Sequence, residues 1–199
     1  GTRRATCRTA SSSPTSRRWQ RRKRWPLPEK VHRKGGSGPH HRRGFRFLDA
    51  GSTTLALVRE LSGPALDARY VTNGVAHARL LAQKGCKVFL VGGLLRPETE
   101  AIIGAAALHS LQQYNFTKAF LGANGVALDA GFTTPDPEEA AVKATVVRRA
   151  REAWFLVDDS KFARIYPAVI AELSGGAILT NHCPNPKYRQ FTLVKEAAE

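Results

Sequence analysis

The sequence predicts an α/β fold, a mainly parallel sheet with helices on both faces. Short apolar runs typical of buried strands alternate with segments whose apolar residues recur at helical spacing. Glycine or small polar residues follow most of the strand-like runs, as they do where a strand turns into a helix. Strands that alternate with helices pair in parallel, because each helix carries the chain back across the sheet.

The elements begin at Phe45, where the composition changes abruptly from polar to apolar. Four apolar runs too short for helices predict the first four strands, at residues 45–48, 69–72, 87–91 and 118–121. The Trp154-Phe155-Leu156 run predicts a strand over 153–157, and a last one is predicted at 177–179. Helical spacing predicts helices over 53–61, 75–83 and 101–114, and a charged amphipathic helix over 138–151.

Residues 1–44 are predicted to be a basic, disordered tail that precedes a folded domain over 45–199. Residues 1–46 carry 15 Lys or Arg and one acid, whereas residues 47–199 carry 16 Lys or Arg and 15 acids. Almost all of the net charge of +15 therefore belongs to the first segment. Such a segment buries too little apolar area to offset its ordering entropy. It is either an arm that binds nucleic acid nonspecifically or a stretch without a selected role.

Several protein classes are excluded by composition. The chain has no apolar run long enough for a transmembrane helix and no apolar leader segment at residue 1, so a cytoplasmic protein is expected. Its three cysteines are distant from one another, which excludes a disulfide framework and a four-cysteine zinc site. No cofactor or metal is predicted.

Candidate ligand residues lie in the loops that follow the strands, because ligands of open parallel sheets bind beyond the carboxyl ends. Hydroxyl groups and a glycine at the start of a helix can bind an anion, and glycines elsewhere allow a ligand to approach the backbone amides. Arg96 and Lys161 are cations that could bind an anionic ligand. Each feature also has a plain structural explanation, as a helix cap or a solvated charge. Lys143, four residues after Glu139, is either half of a helical ion pair or a ligand residue. The candidates are Asp49, Gly51, Ser52, Thr53, Thr54, Thr72, Asn73, Gly92, Gly93, Arg96, Gly122, Asn124, Gly125, Lys143 and Lys161.

Seven motifs in order resemble the C-terminal sensor domain of DeoR-family repressors of sugar metabolism. They are FLDAGSTT (47–54), VTN (71–73), VGG (91–93), KAFLGANG (118–125), GFTTP (131–135), EEAAVK (138–143) and DSKF (159–162). The resemblance implies a Rossmann-like fold similar to ribose-5-phosphate isomerase and glucosamine-6-phosphate isomerase. It also implies a phosphorylated sugar as effector and self-association into a homo-oligomer. By analogy, most of the candidate residues above would line the effector pocket.

Two departures bear on function. The winged helix-turn-helix of the family has no counterpart in residues 1–46, so sequence-specific DNA binding by this chain is not expected. A sugar-phosphate isomerase is the alternative, but Gly122 to Ala127 lacks the three acids that the matching stretch of ribose-5-phosphate isomerase carries. Asp49, Glu139 and Asp158 remain as bases for such an enzyme. The favoured prediction is a sensor domain without catalytic residues.

Overall fold

A computed structural model describes residues 44–197, so all but the last residue of the predicted tail lies outside the described part. The helices are α1 (Ser52–Glu60), α2 (Val75–Gln83), α3 (Ala105–Gln112) and α4 (Pro137–Arg149). The strands are β1 (Phe45–Leu48), β2 (Arg69–Thr72), β3 (Lys87–Leu90), β4 (Leu94–Arg96), β5 (Ala101–Ile103), β6 (Phe116–Gly122), β7 (Gly125–Ala127), β8 (Gly131–Thr134), β9 (Ala153–Leu156), β10 (Ala168–Ala171), β11 (Ala177–Thr180) and β12 (Val194–Glu196).

A seven-stranded sheet forms the centre of the fold, in the order β12-β11-β9-β6-β1-β2-β3. Every neighbouring pair in it is parallel. The carboxyl ends of β1, β2, β6 and β9 therefore meet at one edge of the sheet, and the loops that follow them lie side by side. The predicted α/β class and the mainly parallel sheet are confirmed.

Side-chain alternation along the strands assigns the helices to opposite faces of the sheet. Phe47, Val71 and Leu121 point into the larger core, where they pack with residues of α3 and α4. Their neighbours Leu48 and Tyr70 point to the other face, into a second core that contains residues of α1 and α2. Both faces are thus covered by helices, as the sequence predicts.

Two small antiparallel sheets supplement the main one. Strands β4 and β5 form a hairpin whose turn spans residues 97–100, and β7, β8 and β10 form a three-stranded sheet. The predicted helix over 101–114 is partly wrong, because residues 101–103 form β5 and the helix begins only at Ala105. An Ala-Ile-Ile run is equally apolar in both conformations, and three residues are too few to show a period. Within residues 44–197, no helix combines the length and the apolar character needed to span a bilayer.

Candidate functional site

A cavity of about 400 Å³ opens at the carboxyl edge of the central sheet. Its walls come from the loops after β1, β6 and β9, the first turns of α1 and α2, the β4–β5 turn and one side of α4. The lining residues are Ala50, Gly51, Ser52, Thr53, Thr54, Leu55, Ala76, His77, Glu98, Thr99, Glu100, Gly122, Ala123, Asn124, Glu139, Lys143, Leu156, Val157, Asp158 and Lys161. Four separate stretches of chain after parallel strands therefore converge on one site.

Helix α1 points an uncapped N-terminus into this cavity. Within residues 44–197, no side chain accepts a hydrogen bond from its first N–H groups, although Ser52 and Thr53 carry hydroxyls there. Helix α4, by contrast, is capped by Asp136, which accepts hydrogen bonds from the backbone N–H groups of Glu138 and Glu139. Free N–H groups at a helix start, together with the helix dipole, attract an anion.

A buried ion pair lies behind the uncapped helix. The ammonium group of Lys143 binds Oδ2 of Asp49, and the same oxygen accepts a hydrogen bond of 3.0 Å from the backbone N–H of Gly122. Both side chains are almost fully buried, so the pair ties α4 to the ends of β1 and β6. Oδ2 of Asp49 is thus engaged with two protein groups, and Asp49 does not line the cavity, whereas Lys143 does.

His77, in the first turn of α2, forms part of the cavity wall and contacts α1. The Thr54 hydroxyl donates to the backbone carbonyl of Asp49 at 2.6 Å, so the Nε2–H of His77 must donate to that hydroxyl, at 3.0 Å. This arrangement places a proton on Nε2 of the imidazole. Burial lowers the pKa of His77 from 6.5 to about 4, against the opposing charge of Asp49.

Lys161, which lines the cavity, follows β9 in a short 3-10 turn, Asp159–Lys161. Asp158 caps this turn by accepting a hydrogen bond of 2.8 Å from the backbone N–H of Ser160. Asn124, after β6, accepts a hydrogen bond of 2.8 Å from the Thr134 hydroxyl through its Oδ1. Its amide NH₂ group is therefore the donor that it can offer to a ligand.

Eight of the fifteen predicted ligand residues line the cavity, and the other seven lie behind or beside it. The lining ones are Gly51, Ser52, Thr53, Thr54, Gly122, Asn124, Lys143 and Lys161, and those outside are Asp49, Thr72, Asn73, Gly92, Gly93, Arg96 and Gly125.

Two of the residues outside the cavity hold its loops in place. The Thr72 hydroxyl donates to the carbonyl of Leu48 at 2.6 Å, which links the ends of β1 and β2. Asn73 accepts from the N–H of Ala50 at 2.9 Å through Oδ1 and donates to the carbonyl of Ile102 at 3.4 Å. Both side chains are buried, so they brace the loop that leads into α1.

The remaining four lie near the hairpin or in the small sheet. Gly92 is exposed, and Gly93 adopts a φ of 152° where a Cβ atom would lie 2.6 Å from the carbonyl oxygen of Ile103. Gly125 is buried in β7, where a Cβ atom would lie 2.3 Å from a backbone oxygen. Arg96 pairs with Asp136 and, at 3.3 Å, with Glu138, and so fastens the hairpin to the start of α4.

Sequence reasoning missed several residues of the site. From the sequence alone, His77 is interpreted as an ordinary surface or packing residue. Glu98, Thr99 and Glu100 lie in the turn of a hairpin that was not predicted. The position of His77 in the turn after Asn73, at the end of a predicted strand, is the signal that could have drawn attention to it. No such local signal marks the hairpin residues, because only the tertiary fold brings them over the cavity.

Comparison with known proteins decides the family. The model of the DeoR C-terminal sensor domain matches residues 44–181, most of the described chain. The chain belongs to this family. Two relatives of the sensor domain are an uncharacterized HTH-type transcriptional regulator FruR of Bacillus subtilis, 41% identical over 152 residues, and the glycerol-3-phosphate regulon repressor of Escherichia coli, 31% identical over 119 residues.

The sensor domain accounts for only part of those relatives. The alignments cover 75% and 59% of this chain but 60% and 47% of the two regulators, respectively. Among solved structures, the ribose 5-phosphate isomerase of Plasmodium falciparum is similar to this chain, with a TM-score of 0.43 and 12% sequence identity. The superposition covers 60% of this chain and 45% of the isomerase chain.

Proposed function

We propose that this sensor domain binds a phosphorylated sugar and thereby controls a DNA-binding regulator of carbohydrate metabolism. The uncapped N-terminus of α1, which opens into the cavity together with Lys161, is the observation that carries the proposal. A phosphate group needs several N–H or O–H donors and a cation, and these are the groups present. The name of one relative, a glycerol-3-phosphate regulon repressor, supports a phosphorylated effector.

In the proposed complex, Gly51 to Thr54 and Lys161 hold the phosphate. Asn124 and the backbone of Gly122 face the sugar hydroxyls, and Lys143, held by Asp49, adds a fixed donor to the wall. The predicted residues outside the cavity position these groups without touching the ligand. This division follows the usual design of small-molecule sites, in which a few polar groups orient a ligand inside a braced pocket.

A thermal-shift panel of sugar phosphates, with the matching free sugars as controls, tests the proposal. A sugar phosphate at 100 times its Kd should stabilise the protein by about 2.7 kcal/mol, and the free sugar should not. Lys161→Ala and Thr53→Val should each weaken binding by about tenfold or more, as expected for a charge-assisted or cooperative hydrogen bond. Lys187→Ala removes an exposed lysine outside the cavity and serves as the matched control. If no sugar phosphate shifts the melting temperature, the proposed effector class is wrong.

An isomerase remains the second candidate. It would need a general base in the cavity. Of the three bases that the sequence offers, Asp49 is paired with Lys143, Glu139 accepts a hydrogen bond from the Thr99 hydroxyl at 3.2 Å, and Asp158 accepts one from the backbone N–H of Ser160. Glu98 and Glu100 also line the cavity, so the preference for binding rests on the stretch from Gly122 to Ala127, which carries no acid. Direct assay of ribose 5-phosphate and glucosamine 6-phosphate isomerisation decides between them, since turnover abolished by Asp49→Asn would establish the enzyme.

Oligomerisation and DNA binding stay predictions for this chain. Sedimentation of the protein with and without effector would test self-association. A mobility-shift titration at two salt concentrations would test residues 1–44, because nonspecific binding to phosphates weakens steeply with salt and ignores sequence.

A further inference from the structure

A buried tyrosine, Tyr188, lies behind the turn that carries Lys161. It belongs to the 3-10 turn Pro186–Gln190, between β11 and β12, and its side chain is 3% exposed although both of its neighbours in that turn are exposed. The ring of Tyr188 packs edge-on against the ring of Phe162, with 4.9 Å between the two centroids. The residue that follows Lys161 is therefore fastened to the last part of the described chain.

The hydroxyl group of Tyr188 joins two loops at the carboxyl edge of the sheet. It donates to the carbonyl of Val126 at 3.0 Å and accepts from the backbone N–H of Ala163 at 3.2 Å. The same N–H donates to the Val126 carbonyl at 2.8 Å, so the three groups form a closed set of hydrogen bonds. Burial raises the pKa of Tyr188 above its usual value, so the hydroxyl keeps the proton that it donates.

These contacts lie close to the cavity without being part of it. Ala163 comes two residues after Lys161, which lines the cavity. Val126 comes two residues after Asn124, which also lines it. Tyr188 itself is not among the lining residues, so it acts on the site through the backbone that it holds.

The backbone at Ala163 is strained and needs to be held. Its φ of 57° lies in the left-handed region, which is disfavoured for a residue that carries a Cβ atom. A negative φ at Ala163 would change the direction of the chain between this residue and Lys161. The hydrogen bonds to Val126 and Tyr188 oppose that change, as surrounding contacts do where strain persists at a functional site.

We propose that Tyr188 is a positioning residue of the effector site, which keeps Lys161 placed to bind the phosphate group. The inference rests on the proposed function, because that proposal gives Lys161 its role. The ring holds Phe162, and the hydroxyl holds the strained backbone of Ala163. The 3-10 turn between β11 and β12 thereby contributes to binding, although its tyrosine does not line the cavity.

Tyr188→Phe tests the role of the hydroxyl, because phenylalanine keeps the ring that packs on Phe162. The Val126 carbonyl retains its hydrogen bond from Ala163, so the variant should fold. Calorimetric titration with inorganic phosphate, ribose 5-phosphate, fructose 6-phosphate and glycerol 3-phosphate is the measurement. For each compound that the wild type binds, the Kd should rise about threefold to tenfold in the variant, as expected for one lost hydrogen bond.

Tyr70→Phe is the matched control. Tyr70 is also a buried tyrosine outside the cavity, and its hydroxyl donates to the backbone carbonyl of Ala65 at 2.8 Å. Its loss should lower the melting temperature, as the loss of a purely structural hydrogen bond does, but leave every Kd unchanged. An unchanged Kd in Tyr188→Phe would overturn the inference, as would the same rise in both tyrosine variants.

A double-variant cycle tests whether Tyr188 acts through Lys161. In the Lys161→Ala background, Tyr188→Phe should leave the Kd almost unchanged, because the side chain that it positions is gone. An equal rise in Kd in both backgrounds would overturn the inference. A wild type that binds neither inorganic phosphate nor any sugar phosphate would instead refute the proposed function itself, so the two failures are distinguishable.

Discussion

Protonation of His77 should destabilise the fold as the pH falls. The folded protein holds this imidazole neutral, with its pKa lowered from 6.5 to about 4 mainly by burial. Below pH 6.5 the unfolded chain binds a proton that the folded chain does not, so unfolding becomes more favourable as acid is added. The stability that the neutral His77 side chain contributes is fully present above pH 6.5 and is lost as the pH falls to about 4.

The size of this loss follows from the pKa difference. Each pKa unit of difference between the folded and unfolded states is equivalent to about 1.36 kcal/mol, so the full effect on the free energy of unfolding is about 3 kcal/mol. Carboxylates titrate in the same range, and Asp49, Arg59 and Lys143 all act on the imidazole. A comparison of variants is needed to isolate the histidine.

Urea denaturation of the wild type and of His77→Gln between pH 4 and pH 7.5 provides that comparison. Glutamine offers an N–H donor to Thr54 but does not titrate, so the wild type should lose about 3 kcal/mol more than the variant across this range. His109→Gln removes an exposed imidazole on α3 and controls for the loss of a histidine. The same pH dependence in wild type and His77→Gln would refute the reasoning, as would a His77 ring proton that titrates near pH 6.5 by NMR.

Two further predictions concern the framework of the site, with chemical denaturation as the measurement. Lys143→Met should lower the free energy of unfolding by about 3–5 kcal/mol, because it leaves the buried carboxylate of Asp49 without its counter-charge. Adding Asp49→Asn should recover part of that loss, and a fully additive double variant would contradict the pairing. Gly93→Ala should lower the free energy of unfolding by about 1–3 kcal/mol, because the added Cβ atom would meet the Ile103 carbonyl at a strained φ. The phosphate affinity of the folded variant should not change. Gly92→Ala, which meets no atom within 4 Å, is the control, and equal stability of the two variants would argue against the steric explanation.

The main sheet and its helices could be predicted because their signals are local. The runs around Phe47, Val71 and Phe155 are apolar and of strand length, and the helices between them show a helical period. The short strands carry no comparable signal. Strands β4, β5 and β7 have three residues each, fewer than two full alternations, and the turn residues beside them resemble any polar loop.

The site was predictable at the level of loops but not of individual atoms. The rule that ligands bind beyond parallel strands led to Ser52, Asn124 and Lys161, which do share one cavity. It also led to Thr72 and Asn73, whose polar groups instead form hydrogen bonds with backbone groups of the fold. Sequence cannot separate these outcomes, because a buried polar residue in a strand-end loop has the same identity whether it faces a ligand or a carbonyl group.

The bare start of α1 has a consequence for the lifetime of the protein. A capping side chain adds about 0.5–2 kcal/mol to the stability of a helix, and this helix lacks one. A bound anion would supply the missing acceptor, so the empty protein should fray at this end and the loaded one should not. We expect proteases to degrade the unloaded form faster, and the abundance of the protein would then rise and fall with the concentration of the proposed effector.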